Sequence, residues 1–486
     1  MALAVGIGST TAIYTVVNAV LLKPLPYKQG DRFVAVYGGT LHGTTSGAPI
    51  DFTSSTYADV LAYQQRTHSF DVFGWFKLAD FNLTSPGRPV HINGIEVTPS
   101  LVRNLGVDPA IGRWFADNPN DLYAAVISNA LWRRLGASPN ILGQAVTLDG
   151  RKYTVAGVMP AWFRLPVGGP GNPASSTRSD VWIPLDPAAE AKDTSGSYFA
   201  YARLKPGVTL AQAQADVKRV AAQIAKTDHP DYPYTGRVEN LRDVVVREIR
   251  PTLLLLFGAA GLLLLITCAN VAGLMVARSA ARARETAVRV ALGAAQGQLA
   301  VQYFSEGLLV ALVGAVASIV LSFAMVRVVV SLAEEYIPRA DEISVDWTVL
   351  LFVLGIACLA AILSSLAPLW QAVRTLPNEV LSDGIRASSG ARTRRISQSL
   401  VIAEIALAFT LLTASAILFG HLRNLKHVNP GFATDHLLTF ELTATESPYS
   451  NTAKLVAYQK RLIGALESLP GVTSAAFVNH IPLEGC

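Results

Sequence analysis

The sequence predicts a membrane α-helical protein that carries a large α/β domain on one side of the bilayer. Three observations lead there: apolar stretches long enough to cross a membrane, arginines gathered at particular ends of them, and one long polar region where strand and helix patterns alternate. Hydrophobic residues make up 51% of the chain and charged residues only 15%, whereas an average soluble domain carries roughly a quarter charged residues.

The decisive stretch is Thr252–Ala277, TLLLLFGAAGLLLLITCANVAGLMVA, in which no side chain is charged at neutral pH. As a helix of about 25 residues it rises ~37 Å, against a hydrocarbon core of ~30 Å. A soluble core helix of that length would show a polar face, and this one has none. Arg278, Arg282, Arg284 and Arg289 follow directly. Four further spans are visible: Met1 to about Leu22, Gly307–Leu332 with Arg327 near its far end, Trp347–Val373, and Leu400–Gly420 with Glu404 in its first turn. The first has no basic n-region and no small-x-small cleavage site before Lys23-Pro24-Leu25-Pro26, so it reads as a retained helix rather than a signal peptide.

Loop charge gives the orientation. Arg278–Gln302 and Arg374–Ser399 are rich in arginine, the second holding Arg374, Arg386, Arg392, Arg394 and Arg395. Ala333–Asp346 instead carries Glu334, Glu335, Asp341, Glu342 and Asp346 against Arg339. The positive-inside rule puts the two basic loops in the cytoplasm and the acidic one outside. Alternation then puts residues 23–250 and 421–486 outside. The net charge of +5 is explained by these loops, so no nucleic-acid partner is expected. Of the three cysteines, Cys268 and Cys358 lie in spans and Cys486 is the last residue, so the outer domain is stable without disulfides.

The outer region reads as mixed α/β. Arg32–Tyr37 and Ser69–Phe76 are rich in β-branched and aromatic residues, and Arg88–Thr98 alternates with period two. Ser54–Arg66 is helix-like and opens with capping residues. In Thr147–Val158, Asp149-Gly150 separates two alternating runs, which predicts a hairpin. Tyr198–Leu204, Thr209–Lys226 and Arg237–Val246 read as strand, helix and strand; Leu210, Ala213, Val217, Val220 and Ile224 share one helical face. Gly168–Thr177 reads as a loop. The arrangement suggests one α/β unit with an inserted β-rich lobe. After the fifth span, Leu438–Thr443, Asn451–Leu466 and Val472–Val478 repeat a strand, helix, strand pattern. The chain thus reads as a fragment of a duplicated protein, cut within a second outer domain and short of an N-terminal stretch.

The motif search yields little chemistry. The sequence holds no Gly-x-x-x-x-Gly-Lys-Ser/Thr, no Gly-x-Ser-x-Gly, no Cys-x-x-Cys, and no histidine pair at metal-binding spacing on a helix. No catalytic residue, cofactor or metal is expected, and the chain does not read as an enzyme. The spans carry a different pattern. Ala4, Gly8 and Ala12 recur every four residues, as do Ala269, Gly273 and Ala277, and Gly307, Ala311 and Ala315. Such stripes let helices approach closely. Gly8, Asn18, Asn270 and Gly273 are therefore candidate helix-packing residues, the two asparagines being costly against lipid. Glu285 and Arg289 are four apart, an orientation suited to an ion pair. The segment ends at Gly293, and it reads either as an interfacial anchor or as a docking helix for a cytosolic partner.

The block LLLLITCANVAGLMVARSAARARETAVRVALGAAQGQLAVQYFSEGLLVAL resembles the FtsX-like permease domain of MacB-type ABC transporters. Val97-Thr98-Pro99, Gly112-Arg113, Val155-Ala156-Gly157-Val158-Met159-Pro160 and Asp180-Val181-Trp182-Ile183-Pro184-Leu185 resemble the MacB-like periplasmic core domain. The opening GIGSTTAIYTVVNAVLLKPLPY is similar to the acidobacterial duplicated orphan permeases.

The resemblance implies an FtsX-like four-helix permease unit plus the first helix of a second unit, in a bacterial inner membrane, with a large α/β periplasmic domain. It implies these segments: residues 1–22, first transmembrane helix; 23–250, periplasmic core; 251–377, permease domain with helices near 252–277, 307–332 and 347–373; 378–399, cytoplasmic linker; 400–420, fifth helix; 421–486, a truncated second periplasmic domain. It further implies a permease subunit of an ABC-type transporter or mechanotransmission system, with a separate cytoplasmic P-loop ATPase gripping Ala283–Gln298. Arg284, Glu285, Arg289 and Gly293 would be the coupling residues. Membrane lipid and a second copy, or the protein's own second half, complete the expected partners. The lack of a P-loop in the chain leaves a second reading, an unpowered membrane-anchored periplasmic scaffold or binding protein.

Overall fold

The computed structural model describes residues 1–41, 50–51, 55–84, 89–165, 167–169, 172–175, 179–192, 198–227, 234–247, 249–282, 288, 296–333, 343–373, 388–426, 436–440 and 452–478. Its helices, in chain order, are α1 (Ala2–Val17), α2 (Tyr57–Arg66), α3 (Pro99–Asn104), α4 (Asn129–Arg134), α5 (Pro187–Glu190), α6 (Leu210–Thr227), α7 (Leu241–Val246), α8 (Ile249–Ala281), α9 (Gln296–Ala333), α10 (Trp347–Val373), α11 (Ser388–Lys426) and α12 (Thr452–Glu467). The strands are β1 (Phe33–Leu41), β2 (Ile50–Asp51), β3 (Phe70–Leu83), β4 (Val90–Val97), β5 (Ile111–Gly112), β6 (Ala124–Ile127), β7 (Ala145–Leu148), β8 (Arg151–Val158), β9 (Val167–Gly169), β10 (Asn172–Ser175), β11 (Val181–Pro184), β12 (Phe199–Leu204) and β13 (Tyr234–Asn240). Two units result: Met1–Lys23 with Ile249–Asn429, and Pro24–Glu248 with Pro430–Cys486.

The first unit is helical. Among the described residues, five of its segments are long and apolar enough to cross a membrane: Ala2–Leu22, Ile249–Arg278, Phe304–Val328, Trp347–Leu366 and Gln398–Asn424. An α-helix satisfies every backbone N–H and C=O within one segment, which a bilayer core demands. α9 starts at Gln296, before the apolar span begins, because a helix of good formers continues past the hydropathy boundary. α1, α8, α9 and α10 share a core of Leu3, Ile7, Leu264, Ala311, Ala357 and Ala360, among others. α11 runs beside α8 with its apolar residues exposed, Ile402, Phe409, Leu412 and Phe419 among them.

The second unit is built on a mixed sheet in the order β13-β1-β12-β3-β4-β11-β6-β8-β5, with β2 on β1 and β7 joined to β3 and β8. Its two apolar cores do not belong to separate lobes, because β3 runs through both. Phe70–Phe76 pairs with β12 and Phe76–Leu83 with β4. The strand expected over Ser69–Phe76 continues to Leu83: Asp80 and Asn82 share its more exposed face, while Lys77, on the opposite face, is half-buried against Glu190.

One core lies under α2 and α6 and includes Val34, Tyr63, Trp75, Val217, Val220 and Ile224. The other includes Ile92, Ala125, Val155, Val158 and Ile183. α2 opens with a capping box in which Thr56 and Asp59 bond each other's backbone N–H groups. The turn between β7 and β8 places Asp149 at φ 48° and Gly150 at φ 78°, a left-handed pair that only such residues adopt cheaply.

Four local expectations are corrected. Arg237–Val246 is not one strand: β13 ends at Asn240, and Leu241, Val244 and Val245 then bury one face of α7. The valine run imitates a strand, but its spacing is helical. Gly168–Thr177 contains β9 and β10, paired by backbone bonds that the Gly- and Pro-rich composition conceals. Of the strand expected over Leu438–Thr443, the described part, Leu438–Phe440, is unpaired, and Val472–Val478 forms no strand, since a strand needs a neighbour to pair with. Residues 441–443 of the expected strand lie outside the described residues.

Candidate functional site

The residues that join helix to helix in the first unit form the candidate site. The closest backbone approaches use a small residue, and hydroxyl groups bridge between helices beside them. A Cβ added at Gly6 would lie 2.4 Å from Thr267 Oγ1 on α8. One added at Gly8 would lie 3.0 Å from Leu321 Cδ2 on α9, and one at Gly307 2.5 Å from Ser365 Oγ on α10. The backbones approach closely because those side chains are missing. Hydroxyl groups then bond carbonyls across the gaps. Thr10 Oγ1 donates to the Ala260 carbonyl (3.1 Å), Ser322 Oγ to the Gly8 carbonyl (3.0 Å), and Ser364 Oγ to the Cys268 carbonyl (3.4 Å).

At the end of α1 that leads into the second unit, the contacts become a polar chain. α1 passes into a π-helical turn, Asn18–Leu22. Such turns recur at functional positions. Asn18, 7% exposed, donates from Nδ2 to Thr348 Oγ1 at 2.9 Å. Thr348 donates onward to Asp346 Oδ1 at 2.5 Å, which also accepts the Val349 N–H at 3.1 Å and so caps α10. Lys23 Nζ meets Asp346 Oδ2 at 2.9 Å. The hydrogen bond from Thr348 and then the Lys23 ammonium hold the Asp346 carboxyl well below the usual carboxylate range. One turn inward, Tyr14 stacks on Phe352 at 3.7 Å and 6°, with Phe257 of α8 6.4 Å from Tyr14. α1 is thereby fastened to α10 by a polar clasp backed by three rings.

The sequence candidates fall in different places. Gly8 faces α9 and Asn18 bonds α10. Asn270 is exposed within this chain, and a Cβ added at Gly273 meets open space. Arg284, Glu285, Arg289 and Gly293 lie outside the described residues. Thr348, Asp346 and Lys23 were not singled out from sequence, although an Asp two residues before a Thr at the mouth of an apolar helix is a readable N-cap pattern.

The second unit holds its own polar cluster. Glu190, 3% exposed at the end of α5, accepts Lys77 Nζ at 2.8 and 3.0 Å and the Tyr198 hydroxyl. Lys77 also meets Glu96 at 3.4 Å. Every member of this cluster is paired, and it ties α5 to β3, β4 and Tyr198, the residue before β12.

Residues 1–220 match the MacB-like periplasmic core domain, and residues 257–377 match the FtsX-like permease C-terminal domain. The "Probable export ATP-binding/permease protein MacB" of Pseudomonas entomophila (strain L48) is 25% identical over 300 residues, 60% of this chain and 43% of that protein. The "Uncharacterized ABC transporter permease YknZ" of Bacillus subtilis (strain 168) is 23% identical over 249 residues, 50% of this chain and 58% of its own. The matched part thus covers less than two thirds of either curated relative. The crystal structure of the periplasmic region of MacB from Actinobacillus actinomycetemcomitans aligns with 46% of this chain and 94% of its own, at 14% identity and TM-score 0.33. The two matched domains, one periplasmic and one membrane-spanning, define the class. The chain is an FtsX/MacB-type permease, a membrane protein carrying a MacB-like periplasmic core domain.

Proposed function

We propose that this chain is the membrane-spanning subunit of an ABC-type system for export or envelope remodelling, driven by a separate cytoplasmic P-loop ATPase. The ATPase grips residues 283–298, with Arg284, Glu285, Arg289 and Gly293 as the contacts. Movement there travels along α8, α9 and α10 to α1, and from α1 into the periplasmic core domain, in a bacterial inner membrane. The observation that carries this reading is the clasp of Asn18, Thr348, Asp346 and Lys23. It ties α10 to α1 at the last point before α1 becomes the periplasmic chain, and a packed bundle with discrete arrangements can pass a shift from one side to the other. Membrane lipid covers the outward apolar faces, and α11 is available to pair with a second copy or a second half of the protein.

The test is co-purification of the full-length protein with an ATPase subunit, comparing wild type with Glu285→Lys and Arg289→Glu. Loss of the ATPase in both variants is expected. Undiminished association in both would remove the coupling claim and favour an unpowered periplasmic scaffold.

A further inference from the structure

The turn Pro160–Leu165 carries an exposed tryptophan, and the two stretches of chain that connect this domain to the apolar helices pack near it. Tyr27 Oη donates to the Arg164 carbonyl at 2.8 Å. Tyr27 stands five residues beyond Leu22, the end of the first apolar segment, so the intervening chain spans at most about 18 Å. The return path makes a second, independent tether. α7 packs beside β9 and β10, the hairpin that follows this turn, and α7 ends at Val246, three residues before α8 begins at Ile249. The first connection thus touches this turn at Arg164, and the second touches β9 and β10 just after it.

Within it, Trp162 is 40% exposed while its neighbours Phe163 and Leu165 are buried. Phe163 is wedged between Trp114 (5.8 Å) and Trp182 (5.4 Å), and Trp162 leans edge-on against it at 6.3 Å. The indole is thus mounted on a rigid aromatic base and not free to fold inward. From Met159 to Ser179 the chain has no acidic residue and two arginines, Arg164 and Arg178. An amphipathic ring with an N–H donor, in a segment without negative charge, suits the headgroup layer of an anionic bilayer.

We propose that Trp162 is an interfacial anchor, seating the periplasmic core domain on the outer leaflet of the membrane its own helices cross. The partner is the phospholipid surface, and Ala161, also exposed, enters the same layer.

The experiment uses the full chain with Cys268, Cys358 and Cys486 replaced by alanine, reconstituted in vesicles of phosphatidylethanolamine and phosphatidylglycerol. Single cysteines at Trp162→Cys, at Ala161→Cys (which keeps the indole) and at the exposed control Lys152→Cys carry a bimane label. Lipids bearing a nitroxide near the headgroup should quench positions 161 and 162 about twofold or more and leave 152 unchanged, as an interfacial depth requires. Quenching at 161 no greater than at 152, with equal access of aqueous iodide to both, overturns the proposal whatever the fate of the tryptophan variant.

Discussion

Asn18 and Thr348, 330 positions apart in the chain, are joined by a 2.9 Å hydrogen bond between Nδ2 and Oγ1. The bond lies where a helix that opens the membrane unit leaves it, and it sits on the residue that starts a π-helical turn. Asn18→Leu and Thr348→Val should each destabilise the bundle in detergent. A double-mutant cycle on thermal or steric-trap unfolding should return a coupling of about 0.6 kcal/mol and at most ~1.7, the range for interhelical hydrogen bonds in membranes. A coupling of zero would mean that the two side chains contribute independently.

Close packing at Gly6 and openness at Gly273 make a paired prediction. Gly6→Val places carbon where Thr267 stands and should cost about 1–3 kcal/mol as overpacking. Gly273→Ala meets nothing and should be neutral or favourable by up to ~1 kcal/mol, the helix propensity difference. Melting temperatures of the two purified variants check it.

These glycines also show how far sequence alone reaches. The apolar spans, the arginine-rich exits and the Asp149-Gly150 hairpin are local signals, and they gave the membrane class and the α/β domain. Which stripe of small residues meets a neighbour is not local: Gly8 and Gly273 stand in stripes of the same spacing, yet a Cβ added at Gly8 meets Leu321 of α9 and one at Gly273 meets open space. The clasp was hidden for the same reason, since Lys23 and Asp346 are far apart in sequence and each looks like an ordinary flanking charge. The continuation of β3 past Phe76 was masked by its polar outward residues.

In the periplasmic core domain, Lys77 is what makes the buried Glu190 tolerable. Lys77→Met should cost about 3–5 kcal/mol, because a buried carboxylate loses its counter-charge. Adding Glu190→Gln should recover much of that loss. Urea titration of the single and double variants measures both.

The Asp121 carboxyl is held below its ordinary range, first by the Arg113 guanidinium, which bonds it at 2.6 and 2.9 Å, and further by the Ala116 N–H. A carboxyl depressed in the folded state stabilises fully above its unfolded value and loses that contribution as pH falls through its folded value. The wild-type melting temperature should therefore drop more steeply below about pH 4 than that of Asp121→Asn, whose amide does not titrate. Parallel curves would show that this pair does not contribute to acid sensitivity.

The measurement closest to the centre of the account is two-sided cysteine accessibility in intact cells. In a background lacking Cys268, Cys358 and Cys486, Lys152→Cys should react with a membrane-impermeant maleimide added outside the inner membrane. Arg284→Cys should react only after that membrane is permeabilised. Labelling of both positions from one compartment would contradict a permease that links a periplasmic domain to a cytoplasmic grip.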